Sequence, residues 1–230
     1  MALLAQKTCR YCGAPEPPNG FFRHSRKAAI TRRVCAPCSA RQIRELNATM
    51  RAECFALLGG SCTDCGEYEL EFLTIDHVHN DGHVERATRH PDQIKRAILN
   101  GTADKARYRI LCRSCNDSDD LINRSFFSKS IRNQNRRLRR ARLKKEVIEL
   151  LGGVCTCCSE PNLLKLTVDH VANDGNIQTS LPRGSTDLYL KILNGTVTVS
   201  LFQLLCWNCN FSKHLGGGLC IHQRRKGQVG

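Results

Sequence analysis

Leu58-Gly59-Gly60-Ser61-Cys62-Thr63-Asp64-Cys65 returns as Leu151-Gly152-Gly153-Val154-Cys155-Thr156-Cys157-Cys158, 93 residues further on. The echo continues downstream. Thr74-Ile75-Asp76-His77-Val78-His79-Asn80-Asp81-Gly82 is answered by Thr167-Val168-Asp169-His170-Val171-Ala172-Asn173-Asp174-Gly175, and Ile98-Leu99-Asn100-Gly101 by Ile192-Leu193-Asn194-Gly195. Leu111-Cys112-Arg113-Ser114-Cys115-Asn116 is answered by Leu205-Cys206-Trp207-Asn208-Cys209-Asn210. The offset is 93 residues as far as the Asp-Gly turn and 94 beyond it, so a single insertion separates two otherwise collinear copies. Self-similarity held over so long a span is the mark of a duplicated unit.

Each copy predicts the same order of elements. A basic amphipathic helix leads in, over Arg41–Leu58 (apolar at Ile43, Leu46, Met50 and Leu57) and over Asn133–Leu151 (apolar at Leu138, Val147, Ile148 and Leu151). Gly59-Gly60 and Gly152-Gly153 end these helices, because glycine accepts the left-handed conformation past a helix terminus. A Cys-x-x-Cys knuckle follows, then a strand, Leu70–Ile75 or Leu163–Val168, running up to Asp-His. Asn-Asp-Gly then makes a turn. A short helix over Pro91–Leu99 or Thr186–Leu193 precedes a second strand, Tyr108–Leu111 or Phe202–Leu205. The second knuckle comes next, with a helix expected from Asn116 or Asn210. The segments divide as an N-terminal module at 1–50, a first repeat at 51–128, a basic helical linker at 129–150 and a second repeat at 151–230.

The chain has 230 residues and 15 cysteines, and twelve of these fall into six Cys-x-x-Cys pairs. Two sulfurs three residues apart on a tight turn point at one place, which suits tetrahedral Zn²⁺ better than disulfides to distant partners. The pairs combine into three Cys₄ sites: Cys9, Cys12, Cys35 and Cys38; Cys62, Cys65, Cys112 and Cys115; Cys155, Cys158, Cys206 and Cys209. These are structural zincs, closed by four thiolates. The N-terminal module brackets a loop with Pro15, Pro17, Pro18 and Phe21-Phe22 that is too small for a core, so zinc must supply most of its folding free energy. Cys54, Cys157 and Cys220 are left over. Cys54 and Cys157 read as plain small side chains, and Cys220 and His222 as metal ligands or as a packed tail. The N-terminus lacks an apolar signal-peptide run, and no segment approaches ~18 consecutive apolar residues. The expectation is an intracellular, cytoplasmic protein with no membrane partner.

The formal net charge is +14, which asks for a polyanionic partner, nucleic acid first. Aromatics make up only 6% of the residues, leaving few platforms for stacking single-stranded bases and favouring duplex. The charge is densest at Lys129–Lys145, with Arg132, Arg136, Arg137, Arg139, Arg140, Arg142, Lys144 and Lys145, and no acidic residue inside the stretch. Such a run repels itself and wants phosphate.

The Asp-His at the end of each first strand and the Asn after each second knuckle recur together. Sharing a zinc between the knuckles holds strand end against helix start, so Asp76 and His77 should lie near Asn116, and Asp169 and His170 near Asn210. Carboxylate and amide oxygens are hard ligands for Mg²⁺ or Mn²⁺. A neighbouring histidine can activate water at neutral pH. Singly, each Asp could cap a turn and each Asn a helix; the recurrence of the triplet favours a metal site.

This arrangement resembles the HNH (ββα-metal) endonucleases, in particular the recombination endonuclease VII-like and phage HNH types, which carry Asp-His between two Cys-x-x-Cys knuckles with Asn or His after the second. The resemblance implies an α+β architecture of small zinc-stabilised modules: an N-terminal Cys₄ zinc finger and two tandem ββα-metal domains. It implies Asp76, Asn116, Asp169 and Asn210 as ligands of catalytic Mg²⁺ or Mn²⁺, with His77 and His170 as general bases. It also implies a phage or other mobile element as source. The segment from Leu205 to Lys213, with Gly216–Gly218 and Cys220-Ile221-His222, is similar to the C-terminal end of phage HNH proteins. One helical turn beyond the knuckle Asn stand Asp120 in the first repeat and His214 in the second, each a further ligand candidate.

The expected function is therefore a divalent-metal-dependent DNA endonuclease, acting on duplex or branched DNA through one or two sites. Two sites in one chain would let a monomer cut both strands, and the second repeat is the closer match. The alternative is a non-catalytic zinc protein that binds DNA with the same domains as a scaffold.

Overall fold

The computed structural model describes residues 7–17, 33–118, 131–173 and 185–227. The expectations for Phe21-Phe22, Asp120, Lys129 and the Asp174-Gly175 turn lie outside them, as does the side chain of Arg132. The fold is α+β, with two small antiparallel sheets and clusters of cysteine. Among the described residues no helix is long and apolar enough to cross a membrane. The chain divides into two compact units: the residues up to Leu57 with His83–Lys105, and Leu58–Gly82 with Ala106 onward.

In the first unit, α1 (Ala36–Leu57) packs on α3 (Pro91–Leu99). Met50, Cys54 and Phe55 of α1 and Ile94 and Ile98 of α3 are buried. The Cys54 thiol donates to the Lys95 carbonyl at 3.5 Å. Of the expected stripe on α1 only Met50 is buried, while Ile43, Leu46 and Leu57 are exposed. α3 starts at Pro91 because Pro costs nothing at a helix start and because His90 accepts from the Asp92 N–H while Gln93 Oε1 accepts from the His90 N–H. His90 is thus a cap. α2 (Gly82–Thr88) was not legible in the sequence.

The second unit holds the two hairpins. β1 (Leu73–His77) pairs with β2 (Tyr108–Cys112), and β3 (Leu166–His170) with β4 (Phe202–Cys206). The registers are the same: Leu73 faces Cys112 as Leu166 faces Cys206, and His77 faces Tyr108 as His170 faces Phe202. The first strands begin three residues later than expected and take in the Asp-His pair. Each first knuckle is stitched to its second strand, Thr63 N–H to Ile110 O and Thr156 N–H to Leu204 O, both at 2.9 Å. In the turn after Asp-His, Asn80 and Asn173 both sit at φ 57°, the left-handed conformation that asparagine tolerates.

The helices after the second knuckles start inside them, a correction to the expected start at Asn116 and Asn210. Helix α4 begins at 113 and continues at least to 118, and α7 spans Trp207–Leu215. The first cysteine of each pair is the cap: Cys112 Sγ accepts from the Cys115 N–H and Cys206 Sγ from the Cys209 N–H, each at 3.4 Å. The second knuckle is therefore a helical first turn, with Asn116 and Asn210 in the helix rather than at its cap.

α5 (Ile131–Leu150) leads into the second repeat and packs on α6 (Ser185–Leu193), where Val147, Tyr189 and Ile192 form a buried cluster with Phe202 of β4. Leu138 is exposed. The two repeats meet through equivalent residues: the Ser114 N–H donates to Asn208 Oδ1 at 2.9 Å, and the Asn208 N–H to Ser114 Oγ at 3.1 Å. The Arg113 guanidinium lies 3.3 Å from the centre of the Phe211 ring. The short helix α8 (Ile221–Lys226) binds back to the first repeat, with Arg224 Nη2 at 2.8 Å from both oxygens of Glu71.

Candidate metal centres and the second-repeat cavity

All twelve paired cysteines come together as expected. Cys9, Cys12, Cys35 and Cys38 form one quartet, Cys62, Cys65, Cys112 and Cys115 a second, and Cys155, Cys158, Cys206 and Cys209 a third. Ligand atoms within each lie within 4.8 Å of one another. Cross-knuckle sulfur pairs stand at 3.6 Å (Cys12–Cys35), 3.7 Å (Cys65–Cys112) and 3.7 Å (Cys158–Cys206). A tetrahedron with Zn–S bonds of ~2.3 Å has edges of about 3.8 Å, so these cages fit zinc.

The electrostatics of the thiols are compatible with a bound cation. Each quartet mixes thiols drawn down with thiols driven up. Cys9 falls to about 6, chiefly because the Cys35 N–H bonds its sulfur, while Cys38 is pushed up to about 12 by its contact with Cys35. Burial pushes Cys112 up to about 11, and contact with Cys155 and Cys158 drives Cys206 and Cys209 upward. Contacts with Cys158, Cys206 and Cys209 draw Cys155 down. Four neighbouring thiols cannot all ionise beside one another, and a dication makes the fully ionised quartet the stable state.

A fourth group was foreseen only in part: Cys220 and His222 were candidate metal ligands, whereas Cys157 was expected to be a plain small side chain. Cys157, Cys209, Cys220 and His222 also converge with ligand atoms within 4.8 Å. The signal was present: Cys157 replaces Asp64 of the first repeat, and Cys220-Ile221-His222 has no counterpart there, so the extra ligands occur together in one repeat only.

The residues expected to do chemistry divide by repeat. In the second, Asp169, His170, Asn210 and His214 all line an open cavity of about 440 Å³, with Asn173, Trp207 and Phe211. Arg113 and Asp117 of the first repeat line it as well. Asp169 Oδ2 accepts from Gln203 Nε2 at 2.9 Å and from Lys213 Nζ at 2.6 Å. The Lys213 ammonium donates its remaining hydrogens to the carbonyls of His170 and Val171, and the side chain is only 5% exposed. Sequence reasoning missed this buried cation, whose only sign was the contrast between Lys213 and Asp119 at equivalent positions. The His170 ring packs edge-on to Phe202, and its Nε2 is buried without a hydrogen-bond partner among the described residues.

In the first repeat, Asp76 Oδ2 accepts from Arg109 Nε at 2.8 Å, where the second repeat has Gln203. His77 is 5% exposed and packs edge-on to Tyr108; Asn116 is half-buried in α4. Arg107 reaches Asp81 at 2.7 Å; burial works against ionisation of that carboxyl, but the guanidinium outweighs it and holds Asp81 below the usual range.

Along α5, Arg136, Arg137, Arg139 and Arg140 are exposed. Arg142 and Lys145 face Glu146 and Glu149 one turn on, at 2.9 and 3.8 Å, so part of this charge has partners just beyond the stretch. Lys144 is half-buried, and burial followed by repulsion from Arg140 brings it down to about 8.

Compared with family models, curated proteins and solved structures, the chain matches none.

Proposed function

We propose that the chain is a divalent-metal-dependent DNA endonuclease whose cutting centre lies in the second repeat. One observation carries the reading: Asp169, His170, Asn210 and His214, from the end of a strand and one face of a helix, line a single open cavity. Both hydrogen bonds to Asp169 fall on Oδ2, so Oδ1 remains as a ligand atom. Asn210 supplies an amide oxygen, and His214, one turn along the same helix face, a further ligand. Mg²⁺ or Mn²⁺ bound there would supply Lewis-acid stabilisation of charge developing on phosphate and leaving oxygen. His170 takes a proton from a water as that water's oxygen bonds to phosphorus and the opposite P–O bond breaks. Arg113 at the cavity wall supplies a fixed positive charge for the scissile phosphate. The exposed arginines of α5 hold neighbouring phosphates and carry no sequence information.

The first repeat differs where it matters. Both aspartates are paired with a cation, Asp76 with Arg109 and Asp169 with Lys213, but His77 is almost wholly buried whereas His170 lines the cavity. This favours a division of labour in which the first repeat lends Arg113 and Asp117 to the second repeat's cavity and contributes to DNA binding. A scaffold that binds DNA without cutting is the rival reading.

The test is nicking of supercoiled plasmid by the zinc-loaded chain in Mg²⁺ or Mn²⁺, beside His77→Ala, His170→Ala and the double variant. Loss of nicking in His170→Ala, with His77→Ala still active, supports the proposal. If the parent retards DNA but never cuts it in either metal, the scaffold reading replaces it.

A further inference from the structure

Cys209 belongs to two quartets at once. It closes the set with Cys155, Cys158 and Cys206, and it also lies in the set with Cys157, Cys220 and His222. His222 Nδ1 stands 3.5 Å from the sulfur of Cys209, 3.7 Å from that of Cys220 and 3.8 Å from that of Cys157. With Zn–S of ~2.3 Å and Zn–N of ~2.0 Å, a tetrahedral site has S···N edges of about 3.5 Å, so one ion fits between this imidazole and the three sulfurs.

We propose that the second repeat holds a binuclear zinc cluster in which the Cys209 thiolate bridges the two ions. One zinc takes Cys155, Cys158, Cys206 and Cys209; the other takes Cys157, Cys209, Cys220 and His222 through Nδ1. Seven side chains then fill eight tetrahedral positions. The second ion would be held with Cys157, Cys209 and Cys220 as thiolates. Adding one dication, two thiolates and a neutral imidazole leaves the formal charge of the Cys₄ cluster unchanged, so the second ion brings no uncompensated charge into the buried site.

The chain is bent to deliver these ligands. Gly216, Gly217 and Gly218 turn it back after α7; a Cβ on Gly216 would meet the Leu219 carbonyl oxygen at 2.2 Å, and Gly217 and Gly218 have φ of +63° and +109°. The returning segment is then fixed on both sides of His222. The Ile221 N–H donates to Ser212 Oγ at 2.8 Å, Arg224 pairs with Glu71, and the His222 ring packs edge-on to Phe72 at 5.3 Å. These contacts hold the imidazole over the sulfurs. Cys209 directly precedes Asn210, so the bridged cluster braces the first turn of the helix that carries four of the cavity's residues. The inference stands whether or not that cavity cuts DNA.

The test is metal content and ¹¹³Cd exchange on the full chain, with folding followed by circular dichroism. The proposal expects four zinc ions per chain, falling to three in His222→Ala and in Cys157→Ser/Cys220→Ser. It expects two ¹¹³Cd resonances of the substituted protein to split each other through the shared sulfur, and the splitting to vanish in His222→Ala. Three ions in the parent would overturn it. So would four ions retained in both variants, or four ions whose ¹¹³Cd lines show no mutual splitting. If both variants lose their fold, the parent's ion count and splitting decide alone.

Discussion

The Lys213–Asp169 pair offers the sharpest test of how the second-repeat centre is built. Lys213 is buried, with Nζ 2.6 Å from Asp169 Oδ2 and its other hydrogens on the His170 and Val171 carbonyls. Lys213→Met keeps most of the volume and removes the cation. It strands a carboxylate that is 12% exposed and leaves two carbonyls short of a donor. Removing one member of a buried ion pair costs about 3–5 kcal/mol. Gln203 still donates to the same oxygen, so the low end applies, about 3 kcal/mol, or roughly a hundredfold in the folded-to-unfolded ratio. With a urea slope of about 2 kcal/mol/M, the midpoint falls by about 1.5 M at fixed free zinc and no other divalent ion. A dication bound at Asp169 replaces the missing charge, so Mn²⁺ at a hundred times its Kd restores about 2.7 kcal/mol. The parent is stabilised less, because there the ion must bind beside the ammonium. A variant within about 0.5 kcal/mol of the parent, or equal Mn²⁺ stabilisation of both proteins, would refute the reasoning.

Three further outcomes follow from particular side chains. Lys144 has its ammonium brought down to about 8 in the folded chain, so between that value and its ordinary 10.5 the unfolded state binds more protons. Stability therefore rises with pH across that window, and Lys144→Met is more stable than the parent at pH 7, by roughly 1 kcal/mol or more, with the advantage shrinking toward pH 10 in paired urea titrations. Asn208→Ala removes the acceptor of the buried Ser114 N–H and costs about 1–3 kcal/mol; an unchanged midpoint would mean that the two repeats do not meet through this pair. Replacing Arg136 and Arg139 by Ala lowers the slope of log K against log salt for duplex binding by about 0.9 for each phosphate that is no longer neutralised, read by fluorescence anisotropy.

Much of the fold was legible because duplication repeats its own evidence. The hairpins and the helix over Pro91–Leu99 could be placed from the aligned copies, since the Cys-x-x-Cys pairs anchor both ends of each unit. The starts of the helices after the second knuckles were misplaced because a cysteine is a poor cap in ordinary sequence statistics. Here Cys112 and Cys206 cap through sulfur as part of the knuckle turn. The stripe at Ile43, Leu46 and Leu138 rests on periodicity alone, which cannot say how far along a helix its partner extends. Asp169, His170, Asn210 and His214 could be grouped in advance, since the knuckle ties their elements together. Lys213 could not, because a lysine one residue before a candidate ligand reads as surface charge until its burial is known. The fourth cysteine–histidine group was legible only in part, with Cys220 and His222 suspected as ligands and Cys157 read as a plain small side chain. Its ligands lie sixty-five residues apart at the extremes, and only the glycine turn brings them back to Cys209.

Everything proposed about catalysis depends on a hard divalent ion bound by Asp169 and Asn210 beside His170. Mn²⁺ binding to the zinc-saturated chain, followed by electron paramagnetic resonance in the parent and in Asp169→Ala, measures this without reference to any DNA substrate. The account predicts a saturable Mn²⁺ site in the parent that Asp169→Ala abolishes while zinc content stays the same. Equal Mn²⁺ binding by the two proteins, or none by either, would contradict it.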